Sequence, residues 1–162
     1  MTINKARLID NLLFKLEQTL LIATRAADDA RDLATHEQSK PETQYDTVGL
    51  EASYLAHGQS QRVEQLKNDA LLWKNVGVKS FASTESISAG ALVLLENESN
   101  EKSWYLIGPA GGGLQIFQNE IMVNVVTQAA PLGSILLGKY IDDEVRLNIN
   151  GITQVFDIIN II

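Results

Sequence analysis

The chain has 162 residues, 45% of them apolar, 6% aromatic and none cysteine, enough for one ordinary domain or two small ones. The missing thiols exclude a disulfide framework and suit a reducing cytosol, and no apolar run approaches the ~20 residues needed to span a bilayer. A net charge of −7 argues against wrapping a nucleic-acid duplex, which needs a concentrated Lys/Arg field. The opening Met1-Thr2-Ile3-Asn4-Lys5-Ala6-Arg7 does not read as a signal peptide. A soluble, cytoplasmic protein is expected.

The first half reads as helix. Ile9, Leu13, Leu16, Leu20, Ala23, Ala27, Ala30 and Ala34 recur at alternating steps of four and three. Such spacing keeps one stripe facing a partner helix, as in a coiled coil. The stripe turns from Leu-rich to all Ala at Ala23, so the helix axes are expected to draw closer toward the far end. A polar stretch, Thr35 to Thr43, breaks the period, and its Pro41 fits a first turn better than a helix interior. A second stripe follows: Val48, Ala52, Ala56, Gln59, Val63, Leu66, Ala70 and Trp73, with Leu55 beside it. Two stripes joined by a polar turn predict an antiparallel helical hairpin over 1–76, with its tip near 35–46. Helices of ~30 residues would project roughly 45 Å. A compact bundle is the other reading, but no third stripe exists to complete it.

From Val76 the signal changes to short strands, predicting a small β-rich domain over 77–162. Ala91 to Leu95, Trp104 to Ile107 and Ile121 to Val126 are apolar runs between polar turns, and a further run follows Gly111-Gly112-Gly113. The three glycines lack the Lys-Ser/Thr of a phosphate loop and read as a flexible turn. Val145, Leu147 and Ile149 alternate, and Asn150-Gly151 then signals a two-residue hairpin. One short helix is expected from Pro131 to near Gly138. The fold class is therefore α+β: a coiled-coil hairpin, then a β-rich domain with one helix.

The segment Val126-Thr127-Gln128-Ala129-Ala130-Pro131-Leu132-Gly133-Ser134-Ile135-Leu136-Leu137-Gly138-Lys139 resembles, without gaps, the C-terminal signature of the Gre family of transcription elongation factors, "V-T-P-x-S-P-[IL]-G-x-A-L-L-G-K". Asp142-Asp143-Glu144-Val145 resembles the "G-D-E-V" that follows it. Ala130 replaces the usual Ser, and Asp142 stands where Gly is common; Asp tolerates the left-handed geometry a turn needs. The resemblance implies an FKBP-like C-terminal fold and binding of the hairpin in the secondary channel of bacterial RNA polymerase. It makes Pro131, Leu132, Gly133 and Lys139 candidate docking residues. Nucleic acid would be met only through the polymerase, and any DNA-binding label follows from the family alone.

In cleavage-stimulating members of the family, acidic tip residues help hold a second Mg²⁺ at the polymerase active site, where hard oxygen ligands are needed. The family tip resembles "D-L-K-E-N-A-E-Y". Anchoring it on Lys40 and Tyr45 puts its two acids at Gln38 and Pro41, neither of which has a carboxylate. Glu37, Glu42 and Asp46 lie nearby and could share a Mg²⁺ in trans; ordinary solvated turn residues are the other reading, since acids suit helix starts. The tip candidates are thus Glu37, Lys40, Glu42, Tyr45 and Asp46, with no metal, cofactor or catalytic residue of the chain's own. Asp28, Asp29 and Asp32 form a second acidic patch that reads as a solvated helix face, and His36 and His57 lack partners at metal-ligand spacing.

Two alternatives differ in kind. An FKBP-like peptidyl-prolyl isomerase or chaperone would need an aromatic-lined pocket, for which only Phe81, Trp104, Tyr105, Phe117, Tyr140 and Phe156 are available. A coiled-coil dimerisation protein would pair Ile9 to Ala34 between chains, whereas a hairpin predicts a monomer.

Overall fold

The computed structural model describes residues 2–38 and 48–162, with the side chains of Glu37, Gln38 and Val48 left out. Helices α1 (Lys5–Gln38) and α2 (Val48–Val76) precede strands β1 (Leu92–Asn97), β2 (Lys102–Gly108), β3 (Gln115–Gln118) and β4 (Ile121–Thr127). Helix α3 (Pro131–Leu136) and strands β5 (Glu144–Ile149) and β6 (Ile152–Ile161) complete the chain. Two compact units result: Phe14–Leu71, and the residues up to Leu13 together with Leu72–Ile162. The expected hairpin and the β-rich domain with one short helix are both present.

In the helical unit the predicted seam is the buried one. Ala23 and Ala27 of α1 meet Val63 and Leu66 of α2, with Leu20 against them, and Ala30, Ala34, Ala52 and Ala70 are buried too. Leu55 lies off the stripe and is 52% exposed. α2 runs unbroken through Gly58.

At its start α1 buries a wider face than a two-helix seam requires. Leu8, Ile9 and Leu12 are all buried, while Leu13 is only half-buried, because this end belongs to the unit that contains the sheet. Asn4 caps the helix, its side-chain oxygen accepting the Arg7 N–H at 3.0 Å. Its backbone is tied to β3: Asn4 N–H donates to Gln118 Oε1 at 2.7 Å, and Gln118 Nε2 donates to Asn4 O at 3.0 Å. The buried amide of Gln118 is thereby satisfied.

The sheet has six strands in the order β3-β4-β2-β1-β6-β5. All neighbours are antiparallel except β2 and β4, which pair in parallel from Trp104↔Val123 to Gly108↔Thr127. Two-residue turns close two hairpins. Asn150 (φ 53°) and Gly151 (φ 81°) join β5 to β6 across the Ile149↔Ile152 pair, as the Asn-Gly signal requires. Asn119 (φ 49°) and Glu120 (φ 67°) do the same between β3 and β4. The run after the three glycines is thus strand β3, and Leu114 N–H donating to Gly111 O at 3.1 Å shapes their turn.

On one face of the sheet Val93, Leu95, Ile107, Val145, Ile158 and Leu136 of α3 form a continuous core. Strand alternation sends Leu92, Leu106 and Val123 to the opposite face, where they are also fully buried. The base turns of the helices meet that side. Trp73 is fully buried and donates its indole N–H to Ala110 O at 2.9 Å. Its ring occupies the space a side chain on Gly108 would need, since a Cβ there would stand 2.1 Å from the indole.

Candidate functional site

The segment that carries the family signature forms the turn into α3, the helix itself and the turn out of it. Thr127 ends β4, and Gln128 N–H donates to Gly108 O at 3.0 Å, keeping the chain against β2. Ala130 is extended and offers no side-chain cap, and Pro131 opens the helix, where its missing N–H costs nothing. The Ser134 hydroxyl bonds back into the first turn, donating to Pro131 O at 2.9 Å.

Gly133 is buried because the first turn of α3 lies directly on the end of β4. A Cβ there would stand 2.0 Å from the Thr127 carbonyl oxygen. Leu136 is fully buried in the core, and Leu132, Ile135 and Leu137 pack against it. Gly138 (φ 76°) then turns the chain left-handed. Its N–H donates to Ile87 O at 2.9 Å, and Ile87 N–H donates to Lys139 O at 2.8 Å. Downstream, Asp142 takes φ 71° and donates its N–H to Ile158 O at 2.9 Å. The Asp143 carboxylate accepts the Tyr140 N–H at 2.8 Å.

Of the four docking candidates, Pro131 and Lys139 are exposed, Leu132 is half-buried and Gly133 is buried. Gly133 therefore seats the helix, and of the four only Pro131 and Lys139 are open to solvent. Beside α3 runs a cleft of about 360 Å³ lined by Ser134, Ile135, Leu137, Lys139, Glu144 and Arg146. Arg146 Nε lies 2.9 Å from Glu144 Oε1. The cleft is amphipathic, with an apolar wall on α3 and charges of both signs on the strand side.

Lys40, Glu42, Tyr45 and Asp46 lie outside the described residues, as do Gln38 and Glu37 beyond their backbone in the last turn of α1. Asp28, Asp29 and Asp32 are exposed on α1, with Asp28 3.5 Å from Arg31. Among the described residues no three potential metal ligands gather. Of the six aromatic candidates for an isomerase pocket, Phe117 and Tyr140 are exposed, Phe81 lies beneath Lys5, and Tyr105 and Phe156 line a cleft together; Phe81, Tyr105 and Phe156 all pack against the core on the α3 side of the sheet.

Lys5 was invisible to periodicity. It is 8% exposed, donates its ammonium to Ile162 O and lies 4.6 Å from the Phe81 ring centroid. Desolvation, and secondarily the charge of Lys79, lower its pKa from 10.5 to about 8. A lone Lys near a helix start carries no sequence signal of this, because burial is imposed by segments far along the chain.

Comparison with known proteins finds a partial match to one relative from the family whose signature the chain resembles. No family model matches the chain. It is 29% identical over 117 residues to the transcription elongation factor GreA of Syntrophus aciditrophicus, a match that takes in 71% of this chain and 66% of that relative. Among solved structures it is similar to the GreA factor homolog 1 (Gfh1) of Thermus thermophilus, at 21% identity, 92% and 93% coverage and a TM-score of 0.38. It is also similar to Thermus aquaticus Gfh1, at 22% identity, 91% coverage of each chain and a TM-score of 0.40. The GreA/GreB factor of Nitrosomonas europaea is 17% identical over 65% of this chain and 91% of its own, with a TM-score of 0.38.

Proposed function

We propose that this chain, similar to a GreA elongation factor over 117 residues, is itself a transcription elongation factor that binds bacterial RNA polymerase. In this reading the helical hairpin enters the secondary channel and the β-rich domain docks on the enzyme through the surface around α3. The observation that carries it is the ungapped signature from Val126 to Lys139. Its glycines and proline have definite roles in seating α3 beside an amphipathic cleft. The factor works in the cytoplasm as a monomer and meets nucleic acid only through the polymerase.

Its action is to occupy the channel and modulate elongation, with no strong stimulation of transcript cleavage. Gln38 and Pro41 stand where the tip acids of the family pattern fall, and Mg²⁺ needs carboxylate or similarly hard oxygen ligands. The chain is then not an enzyme; any cleavage would be the polymerase's own. The exposure of Phe117 and Tyr140 weighs against an aromatic-lined isomerase pocket, and the intrachain filling of the Ala23–Ala27 seam weighs against a dimerising coiled coil.

The test is a pull-down with core polymerase followed by transcript-cleavage assays on backtracked complexes. Binding without stimulated cleavage, unchanged by Glu37→Ala, Glu42→Ala and Asp46→Ala, is the expected result. Cleavage that those substitutions abolish would mean a stimulator with displaced tip acids. Failure to bind core polymerase would end the reading altogether.

A further inference from the structure

α3 covers only part of its face of the sheet, packing on β4 and β5. Beyond it the same face is covered only in part. Alternation and register place Leu95, Asn97, Ser103, Tyr105, Met122 and Phe117 on that side, since Leu95 pairs with Ser103, Tyr105 with Asn124 and Phe117 with Met122. Phe117 is 63% exposed and Met122 41% exposed. Side by side on one face, they form an apolar surface of the kind that marks contact sites.

Next to them the face deepens into a cleft of about 370 Å³, floored by Leu95, Tyr105 and Phe156 and rimmed by Asn97, Glu98 and Glu101. That volume holds one or two side chains. The rim is built in advance. Asn97 Oδ1 accepts the N–H groups of Ser99 and Glu101, each at 2.9 Å, and its Nδ2 donates to Glu101 Oε2 at 2.8 Å. Two carboxylates line the cleft and no Lys or Arg does. The neighbouring Lys102 pairs with Glu96 at 3.2 Å, and alternation puts that pair on the opposite face.

We infer that this partly open face is a docking site for a cationic, amphipathic peptide segment of a partner protein. An Arg or Lys stem would lie along Tyr105 and Phe156, its charged head reaching Glu98 and Glu101, while a neighbouring apolar side chain covers Phe117 and Met122. Long basic side chains suit this division because the stem is apolar and the head is not. The acidic rim selects the sign of the partner. The site shares no lining residue with the α3 cleft assigned to polymerase docking, though Val145 of that cleft pairs with Phe156 of this one; the variants below therefore leave α3 and β5 unchanged.

The probe is a fluorescein-labelled octapeptide of alternating arginine and leucine, with a counterpart carrying glutamate for arginine. Binding is followed by fluorescence anisotropy and located by amide shifts on the labelled full chain. The arginine peptide is expected to bind, to lose affinity as salt rises, and to move the amides of 97–105 and 154–156. The double variant Glu98→Gln/Glu101→Gln should weaken it about tenfold, on the scale of losing a close charge pair. Gln154→Lys, an exposed lining position, should weaken it independently by adding a like charge. No binding, equal binding of the acidic counterpart, shifts confined to the Asp28–Asp32 face, or both variants binding as the parent does would each overturn the inference.

Discussion

A methyl group at Gly133 would stand 2.0 Å from the backbone oxygen of Thr127, and neither atom can turn aside as a flexible side chain could. Gly133→Ala must therefore lift α3 off β4, at a cost of about 1–3 kcal/mol as for other overpacked interiors. Gly138 is different: its Cβ would meet open space, and only the φ of 76° opposes it. Gly138→Ala should cost about 1–2 kcal/mol. Urea unfolding of the two variants measures both losses, and a tertiary probe of α3 should respond more strongly to the first. The need for glycine at 138 and the left-handed Asp142 were readable from residue types. The contact that demands Gly133 was not, because it depends on how tightly the Thr127–Ala130 turn folds α3 back onto the end of β4.

Lys5 yields a pH dependence of definite sign. Its folded pKa of about 8 lies below the ordinary 10.5 because burial, with help from Lys79, disfavours the charge. Below pH 8 both folded and unfolded states carry the proton, and the burial penalty is felt in full. Between about 8 and 10.5 the unfolded chain binds more protons than the folded one, so this group makes stability rise with pH. The unfolding free energy of the parent chain should then gain on that of Lys5→Met between pH 7.5 and pH 10, measured by denaturant titration at each pH. A difference that stays flat would mean that Lys5 titrates as an exposed lysine does.

Among the elements, the helices were the most legible. Ala23, Ala27, Ala30, Ala34, Val63, Leu66 and Ala70 are buried on the stripe their spacing predicts. Gly58 sits within α2, exposed and with nothing near its absent Cβ. Gly58→Ala should stabilise the hairpin by about 1 kcal/mol, the ordinary helix-propensity gain, visible as a rise in the helical circular-dichroism melting midpoint. The strands were legible where turn chemistry was conventional. Asn150-Gly151 announces its hairpin, but Asn119-Glu120 does not, because Glu rarely adopts positive φ. For that reason β3 had no marked end in the sequence, and its four residues are too few to show alternation securely.

At the scale of the molecule, the Ala23–Val63 seam is filled within one chain, so a second chain would have to pair through other residues, such as the exposed Phe14, Ile22 and Tyr54. Light scattering on the 162-residue chain should return the mass of one copy, 17.8 kDa, unchanged on modest dilution. Twice that mass would revive the dimerising reading. Local information was sufficient for a hairpin followed by strands, for the breaks between them and for the helix that opens at Pro131, since period and turn chemistry act within a few residues. Long-range packing decided the rest. The parallel pairing of β2 with β4, the Trp73 ring against Gly108, the burial of Lys5 and the acid-rimmed cleft beside Tyr105 and Phe156 all join residues distant in the chain. No repeat or motif encodes such pairs, because each depends on how separate segments share one core.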